Sequence, residues 1–395
     1  MRLACFLTAA ALPVLAEPVR VDPPAGQGSG MPFLTTSPGG SAYLTWTDTI
    51  SAREHALRFS RWTGGGWTPP ETIARGENWF VNWADFGSLS VLADGSMLAH
   101  WLTRSGGGAY GYGIRVARRE PDRPVWREVH GMSLDEKTDY AGFLTFVPGA
   151  PEAVYLSPPG ASGGVSHGAG HDHRKTVRVV SFSATGAPAA EREIDASACS
   201  CCQTAIAKTE NGLVVAYRDR LPGEIRDISV ARFQNGVWSQ PETVHRDGWR
   251  INACPTDGPA MASRGRRVAV AWLTRAQDQP RILMAFSADE ARSFTAPVRV
   301  DSGNPLGRPA LVELDRESYA VAWLEKTAGE DVEVRLRRVS FRGERDPPRT
   351  VAAAPAGRAA GFPKVAVSGG RVLVAWRDGR VRAAWLDARD LDPGR

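Results

Sequence analysis

Residues 261–272 read Met261-Ala-Ser-Arg-Gly-Arg-Arg-Val-Ala-Val-Ala-Trp272, and this stretch decides the fold. It closes on a short apolar strand, Val270-Ala-Trp272, that ends in an aromatic residue. The same ending recurs along the chain at Trp46, Trp101, Tyr155, Tyr217, Trp323 and Trp376, at intervals of 55, 54, 62, 55, 51 and 53 residues when Trp272 is included. Eleven positions before each aromatic stands an apolar or small residue: Thr35, Ser90, Leu144, Ile206, Met261, Val312 and Val365. Turn formers lie between, such as Pro38-Gly-Gly40, Asp94-Gly95, Asn211-Gly212 and Gly369-Gly370. Each unit therefore opens with a β-hairpin of nearly constant length.

A variable loop and a third strand follow each aromatic, as in Ala56-Leu-Arg-Phe59, Ile228-Ser-Val-Ala231 and Ile282-Leu-Met-Ala285. A fourth strand often opens on proline: Pro70-Glu-Thr-Ile73, Pro241-Glu-Thr-Val244, Pro297-Val-Arg-Val300. Proline cannot donate to a ladder, so these strands belong at an outer edge. Four antiparallel strands repeated seven times predict an all-β, seven-bladed β-propeller, with six blades as the alternative. The seventh unit lacks its fourth strand. Pro18-Val-Arg-Val-Asp22 nearly copies Pro297-Val-Arg-Val-Asp301, so the N-terminal strand is expected to complete the last blade and remove a free edge.

The bounds set by composition agree. Glycine (41) and proline (28) are frequent and apolar runs are short, which suits a turn-rich β chain. The net charge of +5 over 395 residues is spread without a basic run, which excludes a nucleic-acid footprint. Arg2, the apolar run Leu3 to Leu15 and the small-residue site Val14-Leu15-Ala16 read as a secretory signal, residues 1–16, cleaved near Ala16. That leaves 17–395 as one propeller domain, expected to be periplasmic or secreted, monomeric and without a membrane span. No glycine-rich nucleotide loop in a βαβ setting is present.

Four cysteines lie beyond the signal, three in the run Cys199-Ser-Cys201-Cys202 and one at Cys254. Three of the seven histidines, His167, His171 and His173, sit in one loop about thirty residues upstream. In the antiparallel order, taking strands a to d from the axis outward, b–c loops and d–a crossings share one face. The Cys-x-Cys-Cys run lies in the crossing into blade 4, Cys254 in the crossing into blade 5, and the histidine loop between strands b and c of blade 3. All three segments are thus expected on one face of adjacent blades. Thiolate and imidazole suit soft transition metals: copper is expected, with zinc as the alternative. A metallochaperone is the matching partner. In extended chain Cys199 and Cys201 are expected to point one way and Cys202 the other. The alternative use of the sulfurs is structural, as two disulfides, for example Cys202 with Cys254 and Cys199 with Cys201, stapling neighbouring crossings. The alternative for the histidines is a solvated loop.

Ser287-Ala-Asp289-Glu-Ala-Arg-Ser293-Phe294 resembles the Asp-box, Ser-x-Asp-x-Gly-x-Thr-Trp, of sialidase-like (BNR-repeat) propellers. It departs from the pattern at Ala291, where that family has glycine. Worn versions end in Gly65-Gly-Trp67 and Gly236-Val-Trp238. The Asp-box of the family is structural, so the resemblance bears on fold more than on chemistry. It implies a second function class, an exo-sialidase-like glycoside hydrolase in which an arginine triad holds a carboxylate beside a Tyr/Glu pair and an aspartate. Arg250, Arg308 and Arg358 lie in successive crossings, and Asp85, Asp139, Tyr140 and Asp257 lie in crossings too. The family's Arg-Ile-Pro motif is absent near the N-terminus, and no Tyr/Glu pair can be placed. Trp79, Trp83 and Trp249, also in crossings, are candidates for a carbohydrate or protein contact surface or for packing between blades.

Overall fold

The computed structural model describes residues 16–106, 111–132, 140–159 and 174–391. Residues 1–15 of the expected signal, the loop carrying His167, His171 and His173, and Asp139 lie outside the described residues.

Seven antiparallel sheets form, one per repeat, so the fold is the seven-bladed propeller and not the six-bladed alternative. The innermost strands are Gly30–Thr36, Ser88–Val91, Gly142–Phe146, Ala205–Lys208, Ala260–Arg264, Pro305–Asp315 and Lys364–Ser368. Six blades carry their strands in chain order from the axis outward. The last blade borrows its outer strand from the N-terminus, with Val19 opposite Trp385 and Arg20 opposite Ala384. In blade 4 the outer position is split. Val237–Trp238 and Glu242–Thr243 both pair with Ile228–Gln234, and Pro241 stands at the break. Its missing N–H explains why the ladder cannot run through.

The seven repeat-marking aromatics explain why the ring closes. Each packs on the blade before its own. Trp272 lies among Val214, Ala216 and Val230 of blade 4, Trp323 among Ala271 and Leu273 of blade 5, and Trp46 against Ala375 and Ala383 of blade 7. Trp46, Trp272 and Trp323 are fully buried. Their indole N–H groups still find acceptors, on Asp48 (2.9 Å), Asp247 (2.7 Å) and Glu325 (3.0 Å). A buried indole with a satisfied donor is among the larger single contributions to a core, about 3–5 kcal/mol by truncation.

The Asp-box-like turn is a self-contained knot of hydrogen bonds. Asp289 accepts from Ser287 Oγ (2.7 Å), Ser293 Oγ (2.7 Å) and the Ser293 N–H (3.0 Å). Ala291, at the position where the resembled motif has glycine, has φ of 65°, the left-handed conformation that glycine adopts without cost. Beside it, buried Glu290 accepts from Thr209 Oγ1, the Asn211 N–H and Asn211 Nδ2, tying blade 5 to blade 4.

The crossings and the b–c loops do share one face. The Cys199 N–H donates to the Arg218 carbonyl (3.0 Å), joining the crossing into blade 4 to the end of that blade's second strand. Gln203 spans three crossings: its Nε2 donates to the Ala84 carbonyl (2.6 Å) and its Oε1 accepts the Gly258 N–H (3.1 Å). Gly258 has to be glycine, because a Cβ there would stand 1.9 Å from the Gln203 carbonyl oxygen.

Candidate metal site and the basic aromatic rim

Residues 199–202 form a turn and not an extended segment, which corrects the expectation that Cys202 points away from its neighbours. The turn folds all three side chains inward. Cys199 Sγ lies 3.3 Å from Cys202 Sγ and 3.7 Å from Cys201 Sγ, and the three sulfurs all lie within 4.8 Å of one another. Cys199 and Cys202 are buried and Cys201 is half-buried. Cys254, from the next crossing, is exposed and hydrogen-bonds Cys201, so the four sulfurs form one group with a buried and an open end. All four are free thiols, so neither alternative bridge is formed. The nearest sulfur pair, at 3.3 Å, is far beyond the bonded distance of about 2.05 Å.

The spacing matches coordination. Metal–thiolate bonds of about 2.3 Å set sulfurs about 3.8 Å apart in a tetrahedral site and about 4.0 Å apart in a trigonal one. The observed 3.7 Å needs about 0.1–0.3 Å of opening and the observed 3.3 Å about 0.5–0.7 Å.

The electrostatics favour negative sulfur. Cys199 is held well below the usual thiol range by hydrogen bonds from Cys201 and Cys202, with the Arg226 guanidinium adding to the effect. Cys201 is pushed up, because it donates to that thiolate, and Cys202 is pushed up chiefly by burial. Cys254 comes down to about 7, mainly through its hydrogen bond with Cys201. Two arginines that sequence reasoning missed flank the group. Arg226 hydrogen-bonds Cys199 and donates to Glu224 (2.5 Å). Arg218, fully buried, donates to the carbonyls of Asp257 (2.7 Å), Arg226 (2.6 Å) and Leu273 (2.8 Å), with its guanidinium 4.7 Å above the Trp249 ring. Two guanidinium charges suit a cluster that stays anionic after taking a metal. The available signal was the charged run Arg218-Asp219-Arg220 directly after a repeat-marking aromatic.

Tyr140 belongs to the floor of this site. Its hydroxyl donates to the Ser200 carbonyl inside the cysteine turn. Its ring lies 4.6 Å from that of Tyr112, and the Lys175 ammonium sits 3.7 Å above it.

Asp85 and Asp257 are structural anchors. Asp85 accepts the Phe143 N–H (2.9 Å) and the Tyr112 hydroxyl (2.9 Å), and Asp257 accepts the Arg308 N–H (2.7 Å). Each thus pins the inner strand of the blade that follows the one its own crossing enters. Near their starts those strands carry left-handed residues, Phe143 at φ 55° and Arg308 at φ 60°. The preceding Gly142 and Gly307 leave room for the carboxylate: a Cβ at either would lie 2.1 Å from it. Burial pushes Asp85 up to about 7 and Asp257 up to about 6.

The three arginines of the hydrolase reading do not all meet the same group. Arg308 and Arg358 both lie over Trp83, at 4.6 and 5.7 Å from the ring centre. Arg308 also donates to the carbonyls of Gly361 (2.7 Å) and Gly357 (3.0 Å). Arg250 lies on blade 4, against Gly223 and bridged to Ile225. Trp79 and Trp249 pack inside, Trp79 stacked on Trp101 at 6.0 Å. Trp83 stays at the rim, stacked on Phe362 at 5.6 Å, beside a cavity of about 450 Å³ that Asp257, Arg275 and Arg308 also line.

No family model matches the chain, and no curated protein matches it. Solved structures do. A protein of unknown function from Dyadobacter fermentans is 13% identical, with 94% of this chain and 98% of that chain covered and a TM-score of 0.52. A polysaccharide lyase of family PL25, an ulvan lyase, is 11% identical over 94% of this chain and 98% of its own, with a TM-score of 0.56. The NanB sialidase from Streptococcus pneumoniae is 12% identical over 95% of this chain and 71% of its own, with a TM-score of 0.47. At these identities the likeness to the first two is one of fold.

Proposed function

We propose that this protein is an exported propeller that binds a soft transition metal, copper(I) first and zinc as the alternative, through the thiolates of Cys199, Cys201 and Cys202. The observation that carries the reading is the packing of three sulfurs within 4.8 Å of one another in a turn that strand periodicity alone did not require. Thiolate-only sets select copper(I) and zinc over harder ions. Cys254 is the fourth donor or the thiol through which metal enters, since it alone of the four is exposed. The imidazoles of His167, His171 and His173 are further candidate donors, and a metal-carrying protein is the matching partner. The role is metal handling or metal-dependent scaffolding. The test is metal content after periplasmic expression, for the wild type and for Cys199→Ser, Cys201→Ser, Cys202→Ser and a variant with all three histidines as alanine. About one metal per chain, lost in each serine variant, is expected. Equal metal content across the serine variants sinks the reading.

A second reading, carbohydrate binding or hydrolysis at the rim, has one observation in its favour. Trp83 offers a ring face with Arg308 and Arg358 over it beside an open cavity. Turnover of a fluorogenic sialoside, lost in Arg308→Ala and kept in Cys199→Ser, is the result that favours it.

A further inference from the structure

A cavity of about 290 Å³ runs along the propeller axis, walled by the inner strands. Its wall is mainly apolar, with residues such as Leu34, Leu89, Ile206 and Met261 contributing to it. Among the described residues two charged side chains reach the wall, Asp85 and Lys364. Asp85 is committed, one carboxylate oxygen to the Phe143 N–H and the other to the Tyr112 hydroxyl. Lys364 is not. Its ammonium lies 5.0 Å from the ring centre of Phe86, 5.5 Å from that of Phe33 and 5.7 Å from that of Phe362.

No hydrogen bond or ion pair of the Lys364 ammonium is found among the described residues, although its backbone pairs with Ala375 in the last blade. Three aromatic faces attract an ammonium, yet leave its N–H groups without acceptors. Burial has pushed this amine down to about 8, as expected of a cation without a counter-charge. A cation set into an apolar cavity without an acceptor is a built half of an ion pair.

We propose that the axial cavity binds a small monocarboxylate with an apolar body, its carboxylate on Lys364 Nζ and its body between Phe33, Phe86 and Phe362. The cavity lies at the small end of ligand pockets, which run from about 300 to 1,000 Å³, so an aryl or branched-chain acid fits and an oligosaccharide does not. This site contains none of the four cysteines, and it adjoins the Trp83 rim through Phe362, which stacks on Trp83.

The test uses the mature chain and two probes, 4-fluorobenzoate and its neutral counterpart 4-fluorobenzamide, titrated by ¹⁹F NMR. The acid is expected to bind at least tenfold more tightly than the amide, to lose at least tenfold in affinity in Lys364→Met and to keep it in Lys364→Arg. The chain has five lysines, so ¹³C-dimethylation gives few resonances, and that of Lys364 is expected to shift on adding the acid. Equal affinity for acid and amide, an unmoved Lys364 resonance, or no binding at millimolar probe each overturns the proposal. Should Lys364→Met not fold, the comparison of acid and amide on the wild type decides alone.

Discussion

Replacing Asp85 by asparagine is expected to make the protein more stable in alkali and leave it nearly unchanged in acid. The carboxyl is buried, and its folded value of about 7 stands about three units above the ordinary 3.8. At about 1.36 kcal/mol per unit this amounts to about 4 kcal/mol. The sign follows from the raised value. The folded protein holds the proton more tightly than the unfolded chain, so the favourable contribution is complete below pH 4 and is lost as the pH climbs through 7. Asparagine keeps an oxygen for the Phe143 N–H and a polar atom for the Tyr112 hydroxyl, and it has no charge to desolvate. Chemical denaturation of both proteins at half-unit steps from pH 4.5 to 8.5 gives the difference directly. Near pH 5 the variant is expected to lead by only about 1–2 kcal/mol, since most of the loss falls between pH 5 and 7. Above pH 8 the variant is expected to lead by about 3–4 kcal/mol. A difference that does not change with pH refutes the account of Asp85 as an uncharged backbone anchor. A fall in stability of the variant that grows with pH shows the carboxylate to be the form the fold requires.

Asp257, raised to about 6 by burial, is expected to give a smaller step of the same sign, about 3 kcal/mol, read in the same titration with Asp257→Asn. Gln203→Ala removes acceptor and donor from the Gly258 N–H and the Ala84 carbonyl. A loss of about 2–4 kcal/mol is expected in denaturant unfolding, together with weaker metal binding, because the residue directly follows Cys202. Starting the chain at Pro24 removes the Val19 and Arg20 pairing and the Asp22 ion pairs to Arg380 and Arg382. A loss of about 3 kcal/mol is expected, with concentration-dependent association in light scattering as the edge of the last blade is freed. Trp323→Ala is expected to cost about 3–5 kcal/mol, since the ring is fully buried against the preceding blade.

The architecture was legible because a propeller repeats one physical problem. Each blade must wedge an aromatic against its neighbour, so Trp46 through Trp376 mark the ring at near-constant intervals. The prolines of the outer strands and the copied Pro-Val-Arg-Val segment carried the edge and the closure in the same way. The shared face of the cysteine segments followed from antiparallel order alone. What escaped was local geometry. Strand periodicity placed Cys202 opposite Cys199, whereas the chain turns at Ser200 and Cys201, and only a turn brings three sulfurs together. Arg218 and Arg226 escaped because their partners lie far apart in the chain, the Asp257 and Leu273 carbonyls for Arg218 and Cys199 for Arg226, and the charged run after Tyr217 does not say which of its residues turns inward. The sequence offered Asp85 and Asp257 as weak catalytic candidates, and it did not show that each accepts the backbone N–H of an inner strand. A usable signal was present in the Gly-x-Pro starts at Gly30-Met-Pro32, Gly307-Arg-Pro309 and Gly361-Phe-Pro363. They mark the irregular entries to the inner strands, two of them with a left-handed residue, Met31 or Arg308, at the middle position.

The reading as a metal-binding propeller rests on four sulfurs being thiols with one ion among them. A thiol titration and a metal analysis on the same purified sample test this together, before and after removing the metal with a copper(I) chelator under denaturing conditions. The account predicts about one copper or zinc per chain, Cys199, Cys201 and Cys202 protected from alkylation until the metal is removed, and these three together with Cys254 alkylated afterwards without a reductant. A sample free of both metals, in which the four sulfurs react only after reduction, would contradict it.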